Sequence, residues 1–515
     1  MRNIFITSLL IPGVILFIFF EISPSLRTPI VQGDEAGTGI VTLFLMNNIP
    51  DGTGVVFFGR YFPLSYVPRH GALESYMLLP FLLLGGVTPE ALRIGPLLFG
   101  VITIVFTYWF GSRFFNQYVG AIAAFLLAIN GFFVSIIKMG GMCGFSILTF
   151  SLIPLLLFLK YSHTKRNLYF YLGMFLLGLG FNVRGYFIWF IIALFFTGLL
   201  LYRRMFRIKI CCIGFICLFI GALPVLYHYF KINLFRDFIL ANFIVAKEEN
   251  INNLHFFANL LRRIDHLNEA LAGRLYESWR QNSALIYIFW ICIVFFAYKI
   301  ILRKKTILPR GRIVFVLVLT AGIFIVSSFT FSTLNSGHLI LVLPYLQVLI
   351  AIAIWEIHKS NKVNQKIALL IVILFIGLHL NNSISKACEL GKEERDNKNS
   401  NIYVITQWLL DNKVHNVVLH EEPFCQGVQF LSNLKLSAAA FRRQKGYLPE
   451  ESIYSCMKDA GPGTVFILEA DTNSTNEKIN KYFKIYAKEL NKEIDPLKKF
   501  YRSDGSLRFT ACRLK

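Results

Sequence analysis

The sequence predicts a polytopic α-helical membrane protein of about eleven transmembrane helices, followed by a small C-terminal α/β domain. Of its 515 residues, 55% are hydrophobic and only 16% are charged, whereas soluble proteins carry roughly 25% charged residues. A net charge of +22 would suggest nucleic-acid binding in a soluble chain. Here the basic residues lie in clusters between apolar runs, which is the topology signal of membrane proteins. The composition therefore excludes an ordinary soluble enzyme, and no nucleic-acid partner is expected.

The predicted spans are apolar runs close to the roughly 20 residues that a helix needs to cross the hydrocarbon layer. The first run has no cleavage site after it, which favours an uncleaved helix over a signal peptide. The spans are Ile4–Ile22, Ala91–Gly111, Tyr118–Ile137, Phe145–Leu159, Leu168–Val183, Tyr186–Tyr202, Ile210–Phe230, Ala284–Leu302, Ile313–Phe331, Leu339–Ile357 and Ile367–Asn381.

The distribution of basic residues predicts the orientation of the chain. With a cytoplasmic N-terminus, the inner segments hold 17 Lys and Arg residues, and the three short outer turns hold only Lys138 and Arg184. This asymmetry follows the positive-inside rule. An odd number of spans then places the C-terminal domain outside the cytoplasm, and we expect a multi-pass protein of the cell (inner) membrane.

The chain divides into a membrane domain, residues 1–382, and an extracytoplasmic α/β domain, residues 383–515. Two long outer loops, 23–90 and 231–282, interrupt the membrane domain. The first loop contains two apolar stretches, Ile40–Met46 and Tyr76–Leu84, which are too short to span and are predicted to lie at the membrane surface. The α/β domain alternates helical patterns, Ile402–Asn412 and Asn476–Leu490, with short β-rich runs at Asn416–Leu419, Thr464–Leu468 and Leu507–Ala511.

Acidic residues are scarce in the membrane domain and concentrate in the first outer loop. Outside segments 231–282 and 383–515 only seven remain, and five of these seven lie in that loop. Asp34 and Glu35 precede the apolar stretch at Ile40, where Asp34 is either an N-cap or a functional carboxylate. His70 and Glu74 are one helical turn apart and could share a face; the alternative is a polar edge on a membrane-surface helix.

Three stretches carry a resemblance to a known family. Asp34-Glu35 follows the first helix, and HGALESYMLLPFLLLGGVTPEALRIGPLLFG (residues 70–100) and YWFGSRFFNQYVGAIAAFLLAING (residues 108–131) come next. A late stretch, NSGHLILVLPYLQVLIAIA (residues 335–353), adds to the pattern. These stretches resemble membrane glycosyltransferases of the C superfold, in the branch of protein O-mannosyltransferases and lipid A aminoarabinose transferases.

The resemblance implies transfer of a sugar from a polyprenyl-phosphate carrier to a protein, lipid or polysaccharide acceptor on the outer face of the membrane. Asp34 is then the candidate general base, with Glu35 as its neighbour in positioning or ion binding. Arg184, Lys138 and His338 lie on three separate outer turns and are the candidates for binding the donor phosphate. For Arg184 the alternative is an interfacial side chain that snorkels.

One departure from the family leaves two questions open: which residues bind the acceptor, and whether the site binds a divalent metal. Many relatives carry a second Asp in the turn after the third span, and here that turn reads SIIKMGGMCGF, without a carboxylate. His70 and Glu74 are the candidates for the acceptor side or for the second acid, and a divalent metal is possible. The competing classes are a transporter or flippase, for which one expects polar residues within spans and internal repeats, and a non-catalytic scaffold for envelope glycan assembly.

Overall fold

The computed structural model describes most of the chain. The described residues are 2–203, 207–231, 256–272, 307–329, 336–359, 362–396, 401–442 and 463–515, except for 24, 28, 30, 32, 68, 69, 141–143 and 471–473, together with short pieces within 284–294 and 454–461. The structure is mainly helical, and its largest hydrophobic core lies among the helices of the N-terminal 360 residues.

The membrane half consists of apolar helices joined by short turns. Its helices are α1 (Arg2–Ile22), α2 (Gly33–Asn47), α3 (Leu73–Gly85), α4 (Pro89–Phe114), α5 (Gln117–Ala128), α6 (Gly131–Lys138), α7 (Ile147–Thr164), α8 (Asn167–Phe181), α9 (Ile188–Tyr202), α10 (Ile208–Lys231), α11 (Phe256–Leu271), α12 (Arg310–Ser328), α13 (Leu343–His358) and α14 (Lys362–Asp396). Short 3-10 helices, Gly185–Phe187 and Ser336–Val342, precede α9 and α13. Helix α13 is buried along almost its whole length and forms the centre of the bundle.

The helices follow the predicted spans. Seven of the described helices are long and apolar enough to cross a membrane, and the bent pair α5–α6 makes eight if it is one span. Two shorter apolar helices, Leu9–Ile22 and Asn167–Phe181, coincide with two further predicted spans. Most of the predicted span Ala284–Leu302 and most of the loop 231–282 lie outside the described residues. The chain is a multi-pass membrane protein, and the count of eleven spans stays a prediction.

The predicted span Tyr118–Ile137 is not one straight helix. It is divided into α5 and α6, which meet at an angle of 56°. The side chain of Asn130 accepts a hydrogen bond from the backbone N–H of Phe133 and so caps α6. Because a capping Asn competes with the helical backbone for hydrogen bonds, the sequence Asn130-Gly131 ends one helix and starts another.

The first outer loop carries two short helices and two small hairpins. Helices α2 and α3 contain the two predicted apolar stretches and are too short to span. Between them lie strands β1 (Gly54–Phe57), β2 (Arg60–Pro63), β3 (Ser65–Val67) and β4 (His70–Gly71), paired as two antiparallel hairpins. The Ser75 hydroxyl donates to the Thr38 carbonyl, and the Thr42 hydroxyl donates to the Ser75 carbonyl. These bonds hold α2 against α3.

The C-terminal part is an α/β unit, as predicted. Its elements are α15 (Ile402–Asp411), β5 (Asn416–Glu421), α16 (Glu422–Leu431), β6 (Ser437–Arg442), β7 (Val465–Glu469), α17 (Ser474–Glu489), β8 (Ile494–Tyr501) and β9 (Leu507–Leu514). The sheet has the order β6-β5-β7-β9-β8, in which β6, β5 and β7 are parallel and β9 and β8 are antiparallel to their neighbours. Helix α16 and strands β6 and β8 are additions to the predicted pattern.

Helices α14 and α16 both connect the α/β unit to the membrane half. Helix α14 continues without a break from its apolar part to Asp396, so the predicted boundary after residue 382 falls within a helix. Helix α16 packs directly against α2. The α/β unit therefore sits on the helix that begins with Gly33, Asp34 and Glu35.

Candidate active site

Four segments that are distant in the sequence meet at one end of the bundle. They are the first turns of α2 and α3, the turn between α6 and α7, and the turn between α8 and α9. Glycines allow the close approach: a Cβ atom at Gly71 would overlap the Asn182 carbonyl, and one at Gly140 would overlap the Glu35 carboxylate. Gly140 has φ +65°, a conformation that glycine adopts without steric cost. The predicted site residues on these segments are thereby brought together.

Glu35 is bound by an arginine on the neighbouring helix. Its carboxylate accepts hydrogen bonds from Arg93 Nε at 2.6 Å and Arg93 Nη2 at 2.8 Å, and both side chains are buried. Arg93 Nη1 also donates to the Leu26 carbonyl at 2.7 Å. A bidentate pair of this kind holds the two side chains in a fixed relative geometry. Each carboxylate oxygen of Glu35 accepts a hydrogen bond from Arg93. The pair therefore ties the first turn of α2 to α4.

Asp34 faces the opposite direction, towards Arg184. The Arg184 Nη2 atom lies 3.7 Å from Asp34 Oδ2 and 3.9 Å from Glu74 Oε2. The Asp34 side chain is 32% exposed, whereas the Arg184 and Glu74 side chains are only 3% and 4% exposed. Of these three groups, Asp34 is the one that a substrate can reach.

Glu74 is held by the start of α7. Its Oε1 atom accepts hydrogen bonds from the backbone N–H and from the hydroxyl of Ser146, each at 2.9 Å. A carboxylate is stabilised at this position because the N-terminus of a helix carries a partial positive charge. Glu74 thus supplies a fixed negative charge behind Arg184.

The pKa values of both carboxyl groups in this cluster are raised. Burial is the main cause for Asp34 and for Glu74, and the Arg184 guanidinium opposes it by lowering both pKa values. A carboxylate with a raised pKa is a stronger base. The cluster Asp34–Arg184–Glu74 therefore combines a partly exposed carboxyl group with a buried cation that lowers its pKa.

Lys138 lies beside the cluster but contacts other groups. Its Nζ atom donates to the backbone carbonyls of Glu21 at 2.7 Å, Ser23 at 2.6 Å and Phe20 at 3.3 Å. These carbonyls end α1 and have no partner within the helix. Lys138 is buried and satisfies that helix end, so its role in phosphate binding stays a prediction that these contacts do not favour.

His338 lies near the turn that carries Arg184. Its ring makes an edge contact with the Tyr186 ring, with 4.8 Å between the ring centroids, and Tyr186 follows Arg184 by two residues. The side chain is partly exposed. His338 therefore lies against the turn that carries Arg184, and a ligand shared by the two residues stays a prediction.

His70 does not share a helix face with Glu74. It lies in strand β4, and α3 begins only at Leu73, so the expected helical relation of the two residues is wrong. The physical reason is Gly71, which presses against the Asn182 carbonyl and keeps the chain extended at that point. The polar edge formed by His70 is thus part of a hairpin.

Two residues that bind the site carboxylates, and one buried cation on a helix that packs against the 3-10 segment of His338, are not among the predicted site residues. Arg93 could have been found as a lone cation near the start of an apolar span, where charge is costly. Ser146 gives no sequence signal because its role depends on a long-range contact. Arg263 on α11 is a buried cation whose guanidinium carbon lies 5.6 Å from the Trp189 ring centroid, and its helix lies against the 3-10 turn that contains His338.

The cluster does not fit a divalent metal. Arg93 occupies both oxygens of Glu35, and the Arg184 cation lies between Asp34 and Glu74, where a metal ion would have to bind. Among the described residues there is also no group of three His, Cys, Asp or Glu side chains placed to hold a metal ion.

Replacing Glu35 by Gln should mainly affect stability. The change leaves the buried Arg93 charge without its partner, and breaking a buried pair in this way costs about 3–5 kcal/mol. We expect a lower Tm of the purified protein, with Glu90→Gln, which removes a surface ion pair to Arg27, as the matched control. An unchanged Tm together with loss of activity would instead make Glu35 a chemical participant.

The sequence of the central region matches a known family. Residues 69–228 match the family described as dolichyl-phosphate-mannose-protein mannosyltransferase. This region includes Glu74, Arg93, Ser146 and Arg184. No curated protein sequence matches the chain significantly.

Solved structures share the fold over almost the whole chain. ArnT from Cupriavidus metallidurans bound to undecaprenyl phosphate is 12% identical, with 98% of each chain covered and a TM-score of 0.63. The archaeal oligosaccharyltransferase AglB from Archaeoglobus fulgidus, in complex with an inhibitory peptide and a dolichol-phosphate, is 12% identical, with a TM-score of 0.57 over 99% of this chain and 74% of that chain. The predicted resemblance to membrane glycosyltransferases of the C superfold is confirmed.

Proposed function

We propose that this membrane glycosyltransferase-like protein moves a hexosyl or pentosyl group from a polyprenyl-phosphate carrier to an acceptor hydroxyl on the non-cytoplasmic side. The observation that carries the proposal is the cluster in which the accessible Asp34 carboxylate faces the buried Arg184. ArnT and AglB, which share the fold, are solved with undecaprenyl phosphate and dolichol-phosphate. Both ligands are polyprenyl phosphates, and this supports a donor of the same class.

Asp34 acts as the general base. The acceptor oxygen forms a bond to the anomeric carbon while the bond from that carbon to the phosphate oxygen breaks. The proton of the acceptor hydroxyl moves to Asp34, and the phosphate leaves with the bonding electron pair as polyprenyl phosphate. A positioned base contributes roughly 10²–10⁴-fold to such a step.

Arg184 links the protonation of Asp34 to the stabilisation of the leaving phosphate. Before transfer, its charge is compensated by Asp34 at 3.7 Å and by Glu74 at 3.9 Å. When Asp34 accepts the proton it becomes neutral, and one compensating charge disappears as negative charge develops on the leaving phosphate. Arg184 then stabilises that phosphate, because a preorganised cation acts most strongly where charge develops in the transition state. His338, which lies against the turn that carries Arg184, is the second group proposed to contact the phosphate.

The direct test uses membranes from cells that do and do not make the protein. Radiolabelled polyprenyl-phosphate hexoses and pentoses are supplied, and the label is followed into protein, lipid and polysaccharide fractions. We expect protein-dependent transfer of one label, accompanied by release of polyprenyl phosphate and lost in Asp34→Asn. Label that changes leaflet but stays on its carrier would indicate a flippase, and the absence of transfer from every donor would reject the proposal.

The proposal requires the site to lie on the outer side of the membrane. The basic residues predict this orientation, with the α/β unit also outside. A reporter enzyme that is active only outside the cytoplasm should therefore be active when fused after Lys515, and a reporter that fluoresces only in the cytoplasm should be dark. The opposite pattern would place both the cluster and the α/β unit on the wrong side for this donor.

A further inference from the structure

We infer that the C-terminal α/β unit is required for sugar transfer, because its helix α16 holds α2 in the position that aligns Asp34 with Arg184. This inference rests on the proposed function. Phe430 and Tyr403 are the positioning residues. Neither touches the reacting groups, and both act through the segment that leads into Asp34.

Phe430 fits into a notch on α2. Gly39 provides the notch, since a Cβ atom there would lie 2.7 Å from two atoms of the Phe430 ring. Phe430 is completely buried and belongs to the large core of the membrane half, whereas the neighbouring Val428 belongs to the core of the α/β unit. Phe430 therefore packs into the core of the membrane half and not into the core of the α/β unit to which its helix belongs.

Tyr403 and Gly427 fix the segment that precedes α2. The Tyr403 hydroxyl donates to the Arg27 carbonyl at 2.9 Å and accepts the backbone N–H of Val31 at 3.4 Å. Gly427 approaches the Val31 carbonyl so closely that no side chain fits between them. Arg93 holds the same segment from the membrane side through the Leu26 carbonyl. The backbone before Asp34 is thus fixed from two directions.

A shift at this contact would reach the proposed base. Gly39 lies five residues after Asp34 in the same helix, which is about 7.5 Å along the axis at 1.5 Å per residue. Asp34 and Arg184 are only 3.7 Å apart, and a misplacement of about 1 Å can cost roughly 10²-fold in rate. An α/β unit that served only to bind an acceptor would have no need of this contact.

The test enlarges the side chain at Gly39, reduces the one at Phe430, and then combines the two changes. In Gly39→Ala the new methyl group should push α2 away from Phe430, and we expect kcat to fall by roughly 10–10²-fold with little change in KM for the donor. Phe430→Leu should lose less. The double variant Gly39→Ala/Phe430→Leu should recover most of the loss of Gly39→Ala, because the smaller Leu side chain makes room for the methyl group.

Phe483→Leu is the matched control for a general effect on the α/β unit. Phe483 is buried in the second core of that unit, against Phe466, and contacts neither α2 nor the segment before it in the described structure. This variant should keep the parental kcat. Parental kcat in both Gly39→Ala and Phe430→Leu, or losses that add in the double variant, would overturn the inference.

Hydrogen exchange separates this inference from the proposed function. In full-length protein in detergent, Phe430→Ala should increase amide exchange across residues 33–38 at the start of α2, and Phe483→Leu should not. This measurement needs no sugar donor. Unchanged exchange in Phe430→Ala would reject the inference even if transfer is established, whereas increased exchange in a protein without any transfer activity would reject the proposed function alone.

Discussion

Replacing Asp34 by Asn is expected to lower sugar transfer by roughly 10²–10⁴-fold, the usual cost of removing a general base. Asn has the size of Asp and is about as good at a helix N-terminus, so the start of α2 should form normally. What Asn lacks is the ability to accept the acceptor's proton. Asp34 is also the accessible member of its cluster, so we do not expect the buried Glu74 carboxylate to replace it.

The measurement is the initial rate of transfer, normalised to the amount of folded protein in the membrane. Glu90→Gln is the control, because it removes another carboxylate of the same outer loop in a solvent-exposed ion pair, and such pairs contribute little to stability. Its rate should match the parental rate. If Asp34→Asn also transfers at the parental rate, the base must be sought at Glu74 or Asp51.

Replacing Arg184 by Ala should reduce transfer by about 10²–10³-fold, the typical loss on removing a group that stabilises developing charge. The pH dependence should change as well. Arg184 lowers the pKa of Asp34 against the effect of burial, so its removal raises that pKa further. Since the base must be ionised, activity is lost as the pH falls through this pKa. The acid limb of the kcat/KM profile should therefore move to higher pH.

Arg184→Lys should recover part of the rate and most of the original pH profile. Lysine restores the charge beside Asp34 but replaces a planar fork by a single ammonium group, which binds phosphate less specifically. The two variants are compared by titrating the donor at several pH values. An acid limb and an apparent donor affinity that stay parental in Arg184→Ala would assign Arg184 to the membrane interface, as a snorkelling side chain.

The sequence by itself determined the class of the protein and the rough place of its site. Hydrophobic runs and clusters of basic residues are local properties, and a bilayer imposes its thickness on any helix that crosses it. Scarcity of carboxylates pointed to the first outer loop for the same reason, because charge near hydrocarbon is costly. These constraints act on each segment separately and can be seen without knowledge of its partners.

Only the tertiary structure decided what the individual side chains do. Asp34 and Glu35 are adjacent and chemically alike, yet one is partly exposed beside Arg184 and the other is buried in a bidentate pair with Arg93, 58 residues away. Lys138, a candidate for binding phosphate, donates hydrogen bonds to the carbonyls that end α1, a contact that the sequence does not reveal. The role of a charged group depends on its burial and on which partner the fold brings within about 4 Å. Those partners come from distant segments, which local sequence patterns do not specify.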